Sequence, residues 1–400
     1  MSESKEALKK FQADVSAWMK ENVPADPGFL LPLSFLEVGT EQQLDFLREW
    51  QHKLWSAGFL GMHWPSEYGG QGADMAYQGI VDRELHRYNA PIIFNTIGLG
   101  WVGPLLLDIG SDEEKAKFLK RILSAEDIWC QGFSEPDHGS DLGSVQTRAV
   151  RDGDDYVING SKIWTTLGNY ADHMILLART NTETERRYDG LSFFLSPMKI
   201  PGVEAVPIRK VTGEYGFNQV FFTDARIPAS TLMVGEGKGW GVAMKTLEYE
   251  RGVSAGQATG YWNVAVGIDD AIEDLRGFER DGEPLFDDPS FREELVDLII
   301  ESKALALTRK RMGIPALTSD YPMGLALSSK YRGTEYARRM KLFTAAMQGA
   351  DSALYVGDDK AHRGGFWQRA YFSNFGATIG GGTSQVQANI IAEHVLGLPK

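Results

Sequence analysis

Two stretches of this sequence concentrate groups able to hold a polar or anionic ligand. The first is Gln131-Gly132-Phe133-Ser134-Glu135-Pro136-Asp137-His138-Gly139-Ser140-Asp141, where turn-forming residues alternate with hydroxyl and backbone N–H donors. A little further on, Lys162-Ile163-Trp164-Thr165-Thr166 sets a large aromatic ring beside hydroxyls at the end of a strand-like run. The second stretch is Gly380-Gly381-Gly382-Thr383-Ser384-Gln385-Val386-Gln387. Consecutive glycines let a backbone approach a ligand closely. Ser384 and Gln387 have capping-box spacing, which predicts a helix start, and a helix N-terminus favours an anion such as a pyrophosphate. The plainer readings stand beside these: polar loops on a β-module, a core tryptophan, and a Gly-rich turn before a last helix over 386–396.

The elements that must position these residues change in kind along the chain. Residues 1–125 read as an N-terminal helical domain. Over 42–57, Leu44, Leu47, Trp50 or Gln51, Leu54 and Trp55 recur at helical spacing, with Gly58 as a stop. Ser111-Asp112-Glu113-Glu114 reads as another helix start, its carboxylates in the first turn. Residues 126–237 switch to a period of two, with strands expected at 145–150, 156–158, 162–166, 173–178, 191–195, 203–206 and 219–223, as in a barrel or sandwich. Asp152-Gly153 and Asn159-Gly160 are both tight-hairpin signals there. Gly235-x-Gly237-Lys238-Gly239-Trp240-Gly241 lacks the spacing of a phosphate loop and reads as a junction between domains. Helices return over 238–400. Phe291, Leu295, Leu298, Ile299 and Leu305 share a stripe that Gly313 and Pro315 end, and 281–289 reads as a loop between long helices.

Bulk properties exclude some functions. A net charge of −13 opposes sequence-independent nucleic-acid binding. The single cysteine, Cys130, rules out an intrachain disulfide and a Cys-based metal cluster, and reads as a small buried apolar residue. No metal site is expected. With neither an apolar leader nor an uninterrupted membrane span in the sequence, a cytoplasmic setting is the expectation.

The order Ser134-Glu135-Pro136-x-x-Gly139-Ser140-Asp141, then Asn159-Gly160-x-Lys162-x-Trp164-x-Thr166, resembles the flavin-binding signature of the acyl-CoA dehydrogenase family. The resemblance runs on through Pro65-x-Glu67-Tyr68-Gly69-Gly70, Asp224-Ala225-Arg226-Ile227-Pro228, and Gly382-Thr383-Ser384-Gln385 to Leu396-Gly397-Leu398-Pro399. It implies an α+β fold with an N-terminal helical domain, a central β-barrel or sandwich domain and a C-terminal four-helix bundle. It also implies FAD, an acyl-CoA substrate, and homo-oligomers built from dimers. By the same resemblance, Gln131, Phe133, Ser134, Ser140, Trp164, Thr166, Thr383, Ser384 and Gln385 contact the cofactor, and Ser140, Arg251 and Gly381 contact the substrate. Leu167 replaces a polar residue, and the family's cross-subunit Arg and Gln-x-x-Gly-Gly phrases have no clean counterpart.

Dehydrogenating a thioester between its α and β carbons needs a base for the α-proton, a hydride acceptor and donors for the developing enolate oxygen. No side chain accepts a hydride, so a cofactor must. Many family members place a catalytic Glu where this chain has Gly381. One branch, which includes isovaleryl-CoA, long-chain and steroid-side-chain dehydrogenases, instead uses a Glu before an Arg on an earlier helix. That position here is Glu250-Arg251, making Glu250 the candidate base and Glu248 the fallback. The resemblance thus implies an acyl-CoA dehydrogenase that passes electrons to electron-transfer flavoprotein. The rivals are an oxygen-using acyl-CoA oxidase and a catalytically silent subunit of a mixed tetramer.

Overall fold

A computed structural model describes residues 5–250, 266–318 and 322–399. The chain forms two compact units, 1–264 and 265–400.

The first unit opens with α1 (Lys5–Asn22), α2 (Glu41–Ser56), α3 (Met75–Arg87), α4 (Gly103–Ile109) and α5 (Asp112–Leu123). The Thr40 hydroxyl caps α2 by accepting from Gln43 N, and Leu44, Leu47, Trp50, Gln51 and Leu54 are buried at the spacing the sequence predicts. Gly58, at φ 77°, turns the chain away after it. The α5 start is a full capping box: the Ser111 hydroxyl accepts from Glu114 N while the Glu114 carboxylate accepts from Ser111 N. A π-helical turn at Gly98–Val102 leads into α4.

The sheet follows: β1 (Trp129–Gly132), β2 (Arg148–Asp152), β3 (Asp155–Thr166), β4 (His173–Arg179), β5 (Leu191–Pro197), β6 (Val203–Ile208), β7 (Phe217–Pro228) and β8 (Leu232–Met233). Its order is β6-β7-β3-β2-β4-β5-β8, with β1 parallel to β4. Alternation sorts β4 between two cores. Ile175 and Leu177 pack with the helices, while Met174 and Leu176 join Tyr156, Ile158, Phe194, Val220, Phe222 and Ile227 inside the curled sheet. Cys130 lies fully buried in that second core, where burial pushes its thiol well above the ordinary range.

One hairpin signal is correct and the other is not. Gly153, at φ 61°, makes the turn between β2 and β3. Asn159-Gly160 is not a turn but a bulge inside β3, where the pairing with β7 shifts register. A Cβ on Gly160 would come 2.7 Å from the Thr147 hydroxyl, so the glycine serves a close approach. Asn159 is held extended by β7: its Nδ2 donates to Asp224 and its Oδ1 accepts from Asp224 N.

After the sheet, α6 (Gly239–Glu250) packs on β4, β5, α4 and the π-helical turn. A Cβ on Gly239 would lie 2.4 Å from the Ser192 carbonyl carbon, so helix and β5 touch backbone to backbone. The end of the phrase read as a junction thus packs closely on β5. Trp240 stacks on Tyr188 at 4.4 Å.

The second unit contains α7 (Ile268–Leu275), β9 (Glu279–Arg280), β10 (Glu283–Pro284), α8 (Pro289–Met312), α9 (Pro322–Ala346), α10 (Phe366–Ser373), α11 (Phe375–Ile379) and α12 (Ser384–Ile390). Part of the stretch read as a loop is thus a small hairpin, turning at Asp281 and Gly282 with φ 55° and 85°. Phe291, Leu295 and Leu298 of α8 meet Met340 and Phe343 of α9 in this unit's core, with Phe291 and Phe343 stacked at 5.3 Å. Among the described residues no helix is long and apolar enough to cross a membrane.

Candidate active site

The donor-rich loop is fixed from beneath by a buried ion pair. Lys162, with 0% of its side chain exposed, donates to Glu135 Oε1 at 2.8 Å and to the Phe133 carbonyl at 3.1 Å. Glu135 also accepts from Gln146 N at 2.6 Å and Thr147 N at 2.8 Å. Burial acts to raise the Glu135 carboxyl, but the Lys162 charge and these hydrogen bonds hold it below its ordinary value. Burial pushes the Lys162 ammonium down to about 8 despite Glu135. Removing one partner from such a pair costs about 3–5 kcal/mol. Ile163 N donates to the Ser134 carbonyl at 2.9 Å, stitching loop to strand. Glu135 and His138 exchange backbone hydrogen bonds around the Pro136-Asp137 tip.

What the loop presents is open. Ser134 is partly exposed and Ser140 exposed, whereas Phe133 is buried against Phe193. Gln131 stands on β1 with a buried Oε1 that has no hydrogen-bond partner. On β3 the register shifts again between Lys162 and Thr165, and Trp164 there takes φ 61°. A left-handed conformation costs a residue with a Cβ about 1–2 kcal/mol. The bulge turns the Trp164 ring outward, 56% exposed, with the Phe217 ring nearly perpendicular to it at 6.0 Å. A strained backbone that exposes a large apolar ring is the signature of a ligand platform rather than a core tryptophan. Thr166 lies close by in sequence, largely buried, and Leu167 is fully buried in the helix-facing core.

Glu250, partly buried, is the last described residue of α6. The neighbouring Tyr249 donates to Asp108 at 2.7 Å, and Lys245 pairs with the same carboxylate at 2.5 Å, tying α6 to α4. Hydrogen bonds from Lys245 and Tyr249 hold Asp108 below the usual carboxylate range. Glu248 is exposed and so faces away from this packing. Arg251 lies outside the described residues.

The Gly-rich stretch belongs to the second unit. Gly381 and Gly382 take φ 65° and 91°. The helix cap is Thr383, not Ser384: the Thr383 hydroxyl accepts from Val386 N. Ser384 is the first helical residue, and its hydroxyl donates to Glu335 on α9 at 2.6 Å. Gln387 folds back to donate to the Gly381 carbonyl, and Lys330 donates to that of Gly382. Gln385 is exposed and Thr383 partly exposed. The sequence-derived residues therefore fall into two sets. The first unit carries Gln131, Phe133, Ser134, Ser140, Trp164, Thr166 and Glu250, and the second carries Gly381, Thr383, Ser384 and Gln385. The Glu135–Lys162 clasp and the Asp108 tie went unassigned in the sequence, because neither pairing is local.

Comparison with known proteins decides the family. Domain models match in order: acyl-CoA dehydrogenase N-terminal domain over 6–126, middle domain over 130–225 and C-terminal domain over 237–396. The chain belongs to the acyl-CoA dehydrogenase family. It is an oxidoreductase of acyl-CoA thioesters, and the α+β fold is that of this family of flavoenzymes of lipid catabolism. It is 36% identical over 406 residues to acyl-CoA dehydrogenase IpdE1 of Mycolicibacterium smegmatis, covering 98% of each chain. Among solved structures it is similar to the Tcur3481-Tcur3483 steroid ACAD, at 30% identity and TM-score 0.81 over 100% of both chains. It is also similar to the ChsE4-ChsE5 complex of Mycobacterium tuberculosis, at 26% identity and TM-score 0.77 over 100% and 99%. The family is FAD-dependent. Residues present here suit such a group: an exposed ring on a strained bulge, an orphaned buried Gln131 oxygen, and a partly exposed Ser134 on the loop that follows β1.

Proposed function

We propose that this acyl-CoA dehydrogenase removes hydrogen from the α and β carbons of a steroid-derived acyl-CoA, with Glu250 as the base. Trp164 supports the reading of the cofactor site most directly, because its outward ring is held by a conformation with an energetic cost. FAD, when bound, supplies the acceptor for the β-hydride. Gln131, Phe133, Ser134, Ser140, Trp164 and Thr166 hold it from the first unit. By the family resemblance Thr383, Ser384 and Gln385 also meet a flavin, and Ser384 would do so through its backbone because its hydroxyl serves Glu335.

Glu250 takes the α-proton onto its carboxylate. Its partial burial is compatible with a general base placed beside a bound thioester. The left-handed backbone at Gly381 supports this assignment, since a Glu there would be strained. Arg251 and Ser140 contact the acyl-CoA, and Gly381 lends its backbone. The steroid class follows the solved steroid ACAD that the chain resembles. Electron-transfer flavoprotein is the proposed acceptor, and an assembly of dimers the proposed state. Anaerobic addition of a steroid-derived acyl-CoA should bleach the visible flavin absorption. Glu250→Gln should lower the bleaching rate at least a thousandfold, of the order expected for loss of a general base; normal bleaching in that variant would remove Glu250 from the role. Peroxide formed during turnover without a protein acceptor would favour an oxidase instead.

A second reading has its own support. Gly381 departs from the commoner base position, and one similar structure is a ChsE4-ChsE5 complex. This chain would then be one member of a mixed assembly. A flavin-loaded, active protein purified from this chain alone would eliminate that reading.

A further inference from the structure

We infer that the buried Glu135–Lys162 pair is a positioning device that aims the cofactor loop, and not simply a contributor to stability; this rests on the FAD reading above. Three separated segments converge on it. The loop contributes the Phe133 carbonyl and the Glu135 carboxylate, the entry to β2 contributes Gln146 N and Thr147 N, and β3 contributes Lys162 itself. Lys162 directly precedes the segment whose register shift carries Trp164.

Peptide geometry turns this convergence into aim. The Phe133–Ser134 peptide is trans. Its carbonyl is drawn inward to the Lys162 ammonium, so its N–H, on Ser134, must point the opposite way. The next carbonyl, of Ser134, is taken by Ile163 N at 2.9 Å. Both peptide units flanking Ser134 are thus fixed, and with them the direction of its N–H and of the Cα–Cβ bond that carries its hydroxyl. The same ammonium sits two residues before Trp164 on β3. One buried charge therefore sets the spacing between a donor pair and a ring platform that the cofactor must meet together. An apolar pair of similar size would fill the space but hold no carbonyl.

Arg179 on β4 is the other charge facing the pair, and its interactions are already satisfied. Its guanidinium donates to the carbonyls of Gly143, Val145 and Arg187, so it cannot stand in for Lys162 without breaking them.

The test is FAD titration of flavin-stripped full-length protein, followed by flavin fluorescence and absorption. Thermal unfolding of each flavin-free protein is measured in parallel. Wild-type, Lys162→Met, Glu135→Gln and the double variant are compared. Lys162→Met and Glu135→Gln should each weaken FAD binding at least tenfold and alter the flavin absorption band. In the double variant no buried charge lacks a partner, so unfolding temperature should recover toward wild type while FAD affinity stays at least tenfold weak. A structural role alone makes affinity recover together with stability, and that result overturns the inference. So does wild-type affinity with an unchanged band in a folded single variant. Should Lys162→Met fail to fold, Glu135→Gln and the double variant carry the same comparison. A folded wild-type chain that binds no FAD instead refutes the cofactor reading, and the inference falls with it.

Discussion

Asp82 shows how single residues of this fold titrate away from their ordinary range. It sits partly buried on α3, with Oδ1 accepting from Gln78 at 3.1 Å and Oδ2 buried without a partner. Burial pushes its carboxyl up to about 7 from 3.8, against smaller opposing effects of Gln78 and Arg83. Between those pH values the folded chain keeps a proton that the unfolded chain has lost. Stability therefore falls as pH rises through the window, and the penalty is complete above pH 7. Asn cannot titrate, so Asp82→Asn should gain on wild type from pH 4 to pH 7, by about 2 kcal/mol once partial solvent screening is allowed for. Urea unfolding of both proteins at pH 5 and pH 8 checks this; an equal difference at the two values would show that Asp82 does not titrate in that range. Glu250 belongs to the same scale. Its position at the end of α6 follows the packing of that helix around Tyr249 and Asp108, so the proposed role of base would rest on how α6 is held.

At the scale of elements, the Gly-rich turn bears on the proposal of a base on α6. Gly381 and Gly382 both take left-handed backbone, and a Cβ on Gly382 would meet Gln387 Nε2 at 2.6 Å. Gly381→Glu should cost about 1–2 kcal/mol in stability and should not restore flavin bleaching to Glu250→Gln. Recovery of bleaching in that double variant would show that the turn accepts a base and that the backbone argument is wrong. Much of this scale was legible in the sequence. Helical spacing gave α2, the carboxylates of a first turn after Ser111 gave the start of α5, and alternation gave the middle strands. What failed did so for physical reasons. Asn159-Gly160 has turn chemistry, but β7 pairs through it and turns it into a bulge. β1 is four residues long, too short to show a period. The cap moved from Ser384 to Thr383 because Glu335, 49 positions away, takes the Ser384 hydroxyl. The order of loop residues marked the candidate site, whereas the clasp beneath it joins residues 27 positions apart and leaves no local pattern.

At the scale of the whole molecule, α8 carries more apolar surface than its own unit can use. Phe291, Leu295 and Leu298 face the core, yet Val296, Ile300 and Leu307 stand 51%, 60% and 64% exposed. Spacings of four and seven place those three on one stripe. A helix with apolar residues on two faces is suited to burial on both. Charge along the same helix is unevenly divided by length: Glu293, Glu294 and Asp297 outnumber Arg292 in its first half, and Lys303, Arg309, Lys310 and Arg311 outnumber Glu301 in its second. Two copies of α8 laid antiparallel would set acidic half against basic half and stripe against stripe, the self-complementarity that a two-fold axis requires. The proposed assembly of dimers would then use this face. Ile300→Glu places a carboxylate at the centre of the stripe, where pairing across the axis would bring it against its own copy. The variant should sediment as a smaller species than wild type at the same micromolar concentration, while its unfolded fraction stays low because position 300 is outside the unit's core. Salt should matter as well: raising ionic strength screens the matched charges, so wild type should dissociate at higher concentration in 1 M salt than in ~0.1 M salt. Wild-type protein that sediments as a monomer, or an Ile300→Glu variant that assembles unchanged, would show that α8 is not the contact.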